Sequence, residues 1–233
     1  MINSVRNTVL AVCNKNNYGY ISPSDFNLFA KQAQMDIFED YFYQYNYQIN
    51  KVNAHTTGSS YANLAENLLE VIDSFSVFAA LVNSGTNQYT LPADFYYINR
   101  LQYNNLNVEK VSESKLLNLT NSLLTAPTTE WPAYVVRDNT AYIFPDTITG
   151  AVIDCQYIRY PLDPKWTYVT LLNGEPVFNP DVAGLGYQDF ELPASDEPML
   201  VVKILQYAGI SIREAEVVNA MTTMETQENQ QEL

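Results

Sequence analysis

The feature that most constrains the fold is a double change of texture along the chain. Up to Val82 the apolar residues recur every three or four positions. From Asn83-Ser84-Gly85 they come in short runs broken by Pro, Gly and Asn, and from Ser195 the helical spacing returns. This order predicts an α+β protein: a helical bundle built from both chain ends, with a β-rich domain inserted between them. The expected bounds are residues 1–85 and 196–233 for the bundle and 86–195 for the insert. The insert is expected to be a small antiparallel sheet or barrel, with a long irregular arm over 161–195.

The helical expectations are local. Ile2, Val5, Val9 and Val12 make one apolar stripe, ended near Gly19. Ser22 is placed to cap the next helix, with Pro23 at its first position and Asp25 able to close a capping box. That helix carries Phe26, Phe29, Ala33, Ile37, Tyr41 and Tyr45 on one face and should reach about Asn50. A polar loop, Lys51 to Ser60, holds the sole histidine, His55, which has no carboxylate or cysteine cluster near it in sequence. A third helix is expected from Tyr61 to Val82, with Leu64, Leu68, Val71, Ile72, Phe75 and Phe78 in register. The last helix starts at Ser195 and runs through Leu200, Ile204, Tyr207 and Ala208, then Val217, Val218 and Met221. A polar tail, Thr222 to Leu233, follows it.

Within the insert the expected strands are Phe95–Tyr103, Ala133–Arg137, Thr140–Phe144 and Ala151–Tyr160. Asp138-Asn139 reads as a two-residue hairpin turn, and Asn173-Gly174 as the turn of a second hairpin, Tyr168 to Phe178. A short helix is expected over Ser112 to Asn121.

Composition argues for assembly over chemistry. Charged residues are 16% of the chain, while 18 Tyr and many Asn and Gln supply neutral hydrogen-bonding surface. A net charge of −14 with 12 basic residues disfavours wrapping of phosphates, yet suits a surface that must pass DNA without gripping it. Cys13 and Cys155 are far apart in sequence, without metal-ligand spacing, and read as buried free thiols or as a disulfide, the thiols being favoured. There is no Gly-rich phosphate loop, no ordered carboxylate pair and no calcium-loop spacing, so no enzymatic activity and no cofactor or metal is expected. No run approaches the roughly 18 apolar residues of a membrane span, and the start of the chain lacks the pattern of a signal peptide.

The candidate functional residues are aromatic. Tyr41, Phe42, Tyr43, Tyr45 and Tyr47 put rings on more than one face of a helix, so they either pack inside the bundle or meet a neighbouring subunit. Trp166 and Tyr168, with Trp131, either fill the insert's core or form a contact surface for a protein or a sugar.

The order of pieces from Leu91-Pro92-Ala93-Asp94-Phe95, through Trp131-Pro132-Ala133-Tyr134 and Tyr142-Ile143-Phe144-Pro145, to Val152-Ile153-Asp154-Cys155-Gln156-Tyr157-Ile158-Arg159-Tyr160-Pro161 resembles virion proteins that join head to tail in tailed bacteriophages. The block Asn16-Asn17-Tyr18-Gly19-Tyr20-Ile21-Ser22-Pro23 and the aromatic helix after it resemble structural proteins of crAss-like phages. The resemblance implies a homo-oligomeric ring of twelve subunits beneath the capsid portal, touching adjacent tail or ring proteins and passing the genome without specific binding. It implies a virion location, synthesis in the host bacterial cytoplasm and no membrane partner. The alternative from another class is a carbohydrate-binding or adhesion module of the tail.

Overall fold

The computed structural model describes residues 1–15, 20–53, 64–148, 150–181, 184, 186–211 and 223–224. Of the expected polar loop, Lys51 to Asn53 are the last residues of a helix, while His55 with the rest of that loop, and the expected helical continuation through Val217, Val218 and Met221, lie outside the described residues. The chain divides into two compact units, Met1–Val71 with Pro161–Leu233, and Ile72–Tyr160.

The first unit contains helices α1 (Ile2–Lys15) and α2 (Pro23–Asn53) and, near the other end of the chain, α5 (Glu197–Ser211). Each helix follows from its local chemistry. Ser22 caps α2: its carbonyl accepts the Phe26 N–H at 2.9 Å and its Oγ accepts the Asp25 N–H at 3.2 Å. Phe26, Ala30, Ala33, Ile37, Phe38 and Tyr41 then form the buried stripe of α2, three or four residues apart. In α1 the buried positions are Ile2, Val5, Arg6, Val9 and Cys13. α5 buries Met199, Leu200, Val202, Ile204, Leu205 and Ala208, more than one face, as a central helix must.

The expectation of a helical bundle from both chain ends is overturned. α1, α2 and α5 share their unit with the described residues of 161–193, which are mostly non-helical and pack back onto the helices. The reason lies in side-chain amides on α2. Asn27 brackets the backbone of Trp166, its Oδ1 accepting from the Trp166 N–H at 2.9 Å and its Nδ2 donating to the Trp166 carbonyl at 3.2 Å. Seven residues on, buried Gln34 donates to the Leu162 carbonyl at 2.8 Å and accepts the Glu191 N–H at 3.2 Å. Lys31, between them, reaches Asp163 at 2.7 Å. Trp166, 2% exposed, is thereby drawn in; its indole N–H donates to Asn3 Oδ1 at 3.1 Å, and the Arg6 guanidinium sits 3.8 Å from its ring centroid.

Asp189 ties the same segment to the start of α1. It accepts the Ile2 N–H at 2.7 Å, the Phe190 N–H at 2.8 Å and the Met1 ammonium at 3.0 Å. Its negative charge therefore sits at the positive end of a helix.

A further correction falls where the two units join in sequence. The helix expected through Val82 is only α3 (Leu64–Asp73), most of which belongs to the first unit, and the residues beyond it form strands β1 (Ser76–Ala80) and β2 (Val82–Asn83) of the second. Phe75 and Phe78 fall at helical spacing, but the two have opposite fates: Phe75 is buried and Phe78 exposed, while Val77 and Ala79 face the core at a spacing of two.

Further strands are β3 (Gln88–Thr90), β4 (Phe95–Tyr103), β5 (Leu106–Lys110), β6 (Ala133–Arg137), β7 (Thr140–Phe144) and β8 (Ile153–Arg159). They form one sheet in the order β1-β8-β4-β5-β6-β7-β3-β2. Its outermost strands, β1 and β2, are separated in sequence by Leu81 alone, so the sheet has to curl until its ends nearly meet. Leu81 marks the place, donating its N–H to the Ile153 carbonyl at 2.8 Å. The sheet is mixed, not antiparallel as expected, because β5 and β6 run parallel. A parallel pair cannot be joined by a tight turn, and the connection contains helix α4 (Glu113–Asn121). Two other connections, β4–β5 and β6–β7, are tight turns. Asn104-Asn105 and Asp138-Asn139 all have positive φ, the backbone that two-residue hairpins demand.

Inside lie Leu81, Tyr89, Leu91, Ile98, Leu101, Val108, Tyr134, Ile143, Ile153, Cys155 and Tyr157. No helix of the described residues is long and apolar enough to cross a membrane.

Two measurements test the links in the first unit. Asn27→Ala strands both peptide groups of Trp166 and is expected to cost about 2–3 kcal/mol in urea unfolding, whereas Lys31→Ala, which breaks an exposed ion pair, should cost about 0.5 kcal/mol or less. Burial alone would raise the Asp189 carboxyl, but hydrogen bonds from the Met1 ammonium, Ile2 and Phe190 outweigh it and hold the pKa below the ordinary 3.8. A depressed acid stabilises the fold above its unfolded pKa and loses that contribution as pH falls through the folded value. Melting temperature should therefore fall less steeply below pH 4 in Asp189→Asn than in the parent.

Candidate functional site

The aromatic run of α2 divides by helical geometry. Tyr41 is buried, its hydroxyl donating to Asp196 at the start of the last helix. Phe42 packs edge-on against Phe38, with centroids 5.2 Å apart. Tyr45 is half-buried. Tyr43, at 70% exposure, and Tyr47 project into solvent, the Tyr47 ring lying 5.7 Å from the Lys51 ammonium. Successive helical positions are about 100° apart, so an alternating string of tyrosines cannot share a face.

Trp166 and Tyr168 belong to the first unit, where they form an aromatic cluster. A hairpin, β9 (Tyr168–Thr170) and β10 (Pro176–Phe178), rises from it. Tyr168 and Phe178 stack on Trp166 with centroids 5.4 and 6.0 Å away, and Tyr187 meets Phe178 edge-on at 5.7 Å. Arg6 closes the cluster. Burial lowers its pKa from the ordinary value, Tyr20 acting in the opposite sense, and its Nε has no hydrogen-bond partner. Trp166 therefore anchors the hairpin and presents no surface, while Tyr168 is partly exposed at its edge.

The hairpin's far end is apolar. Val169, Leu171 and Val177 are exposed, and Leu172 has no cover at all. The turn follows at Asn173-Gly174, where Gly174 takes φ 85°. A second bare apolar stretch occupies the β5–β6 connection. There α4 buries only Leu116, while Leu117, Leu123, Leu124 and Trp131 stand in solvent, Trp131 at 78% exposure. Sequence reasoning missed these leucines. The available signal was an apolar pair placed where a chain turns, Leu123-Leu124 just after the end of a helix and Leu171-Leu172 just before Asn-Gly, positions that ordinarily carry polar residues.

Among the described residues, no three His, Cys, Asp or Glu side chains gather as they would around a metal ion. Cys13 and Cys155 are both free and buried. Burial raises the Cys13 thiol and pushes Cys155 up to about 12. Tyr134 is likewise pushed up to about 12 by burial, with Cys155 and Tyr97 adding to the effect. Charge is unevenly shared: the first unit carries seven basic and 18 acidic residues, the second five and eight. Neither the protein-family models nor the curated proteins compared with this chain contain a match.

The split of the tyrosine run has a direct consequence. Tyr41→Ala should cost about 3 kcal/mol or more of stability, as loss of a buried ring does, while Tyr43→Ala should change unfolding by about 0.5 kcal/mol or less. Chemical denaturation of the two variants side by side checks this.

Proposed function

We propose that this chain is a non-enzymatic structural protein of a tailed-phage virion, a subunit of a ring in the connector between the capsid portal and the tail. The observation that carries the reading is the pair of projecting apolar stretches, Leu171-Leu172 and Leu117 to Trp131, exposed on a chain with a real core of its own. Uncovered leucines at the tip of a hairpin and along a connection are costly in water and find their use at protein contacts. Two further facts support it. The excess of acid lies mostly in one unit, as suits a protein that must let DNA pass without holding it. The order of sequence pieces resembles head-to-tail joining proteins.

In this reading the chain's partners are its own copies, the portal and an adjacent tail or ring protein, and its location is the virion. Its work is mechanical: to bridge two assemblies and to leave an acidic path for the genome. Native mass spectrometry of the chain mixed with the phage portal is expected to give many copies bound to the portal as a ring. A chain that ignores the portal overturns the connector reading.

One observation favours a second reading, an adhesion module. Trp131 offers an exposed indole face, the kind of platform on which sugar rings stack. Glycan-array binding that disappears in Trp131→Ala would favour it; Trp166, being buried, is not available for such a role.

A further inference from the structure

The two bare apolar stretches differ in shape and in charge. The hairpin is a narrow projection whose only charged side chain is Glu175, and the chain has no basic residue between Trp166 and Val202. The β5–β6 connection exposes leucines on and after a helix. Its Glu113 is already engaged by Arg137, at 2.8 and 2.5 Å, which leaves Lys115 as the free charge on the helix and Glu130 beside Trp131 at the far end. Two hairpins brought tip to tip would oppose Glu175 to Glu175 and are disfavoured, whereas a hairpin laid on α4 brings Glu175 towards Lys115 and covers leucines on both sides.

We propose that the hairpin tip of one copy, Leu171, Leu172 and Glu175, docks on the β5–β6 connection of the next copy, at Leu117, Leu123, Leu124 and Lys115. The contact is heterologous: each copy gives one surface and receives on another. Repetition of such a contact closes into a ring or continues as a filament, according to the rotation it imposes. The base of the hairpin is stiffened by stacking of Tyr168 and Phe178 on buried Trp166, so the tip is held out ready-made, with little left to order on binding. This inference deepens the assembly reading above by naming the surfaces that copies would use.

The test uses the full chain and two variants, Leu172→Asp, which spoils the tip, and Leu124→Asp, which spoils the receiving surface. Both side chains are almost entirely in solvent, so thermal melts of the variants should match the parent. Sedimentation velocity is expected to show the parent self-associating and each variant alone as a monomer. The two variants mixed should form a one-to-one dimer that grows no further, because one intact contact remains between them. Reversing Glu175→Lys weakens assembly, and adding Lys115→Glu in the same chain restores it. A parent that stays monomeric, a variant that assembles like the parent, or a mixture that stays monomeric overturns the proposal. Its fate is separable from that of the connector reading: self-association without portal binding ends the latter alone, and portal binding by a monomeric parent ends this one alone.

Discussion

The helical unit depends on a substitution of side-chain amides for a missing β-ladder. Residues 161–193 are mostly irregular, and peptide groups that leave water must find partners. α2 supplies them from one face: Asn27 and Gln34, two turns apart, each offer a carbonyl oxygen and an N–H₂ group to the passing backbone, as a neighbouring strand would. With the peptide of Trp166 satisfied, its indole can be buried against Arg6 and Asn3, and the rest of the segment follows, down to Asp189 at the first turn of α1. An apolar face at the same positions would pack as well but would leave these peptide groups stranded. The amide richness that the composition suggests is for outside partners is thus spent partly inside.

What the sequence reveals and what it hides separates along the same line. Strands Phe95–Tyr103, Ala133–Arg137 and Thr140–Phe144, the turns at Asp138-Asn139 and Asn173-Gly174, and the cap at Ser22 all rest on residues near one another in the chain, and they lie where periodicity and turn chemistry put them. The strands at 76–83 were hidden because Phe75 and Phe78 mimic helical spacing; what decides them is pairing of Ser76–Ala80 with Asp154–Ile158, partners that no local pattern announces. The parallel pairing of β5 with β6 and the return of residues 161–193 to the helices were hidden for the same reason. At the candidate site, the tyrosines of α2 were legible as a group but not their division into Tyr41 inside and Tyr43 outside. The bare leucines were illegible in kind, since an apolar residue in sequence is ordinarily read as a core residue.

The two units also treat their reactive groups differently from their apolar ones. Both thiols and the hydroxyl of Tyr89 are sealed in, the last without a partner, while Leu124 and Leu172 are left in water. That inversion is what the proposed assembly role would use.

The single residue between β1 and β2 reaches beyond geometry into the order of events. β1 is the first strand of its unit and β8 the last, about eighty residues later, so β1 has no partner in the sheet until synthesis has nearly passed the unit. The helices wait longer still: α1 and α2 emerge well before Trp166 and α5, which cover them. On the ribosome the inserted unit can be complete while the unit that surrounds it in sequence is still half a molecule, with the aromatic face of α2 uncovered in the interval.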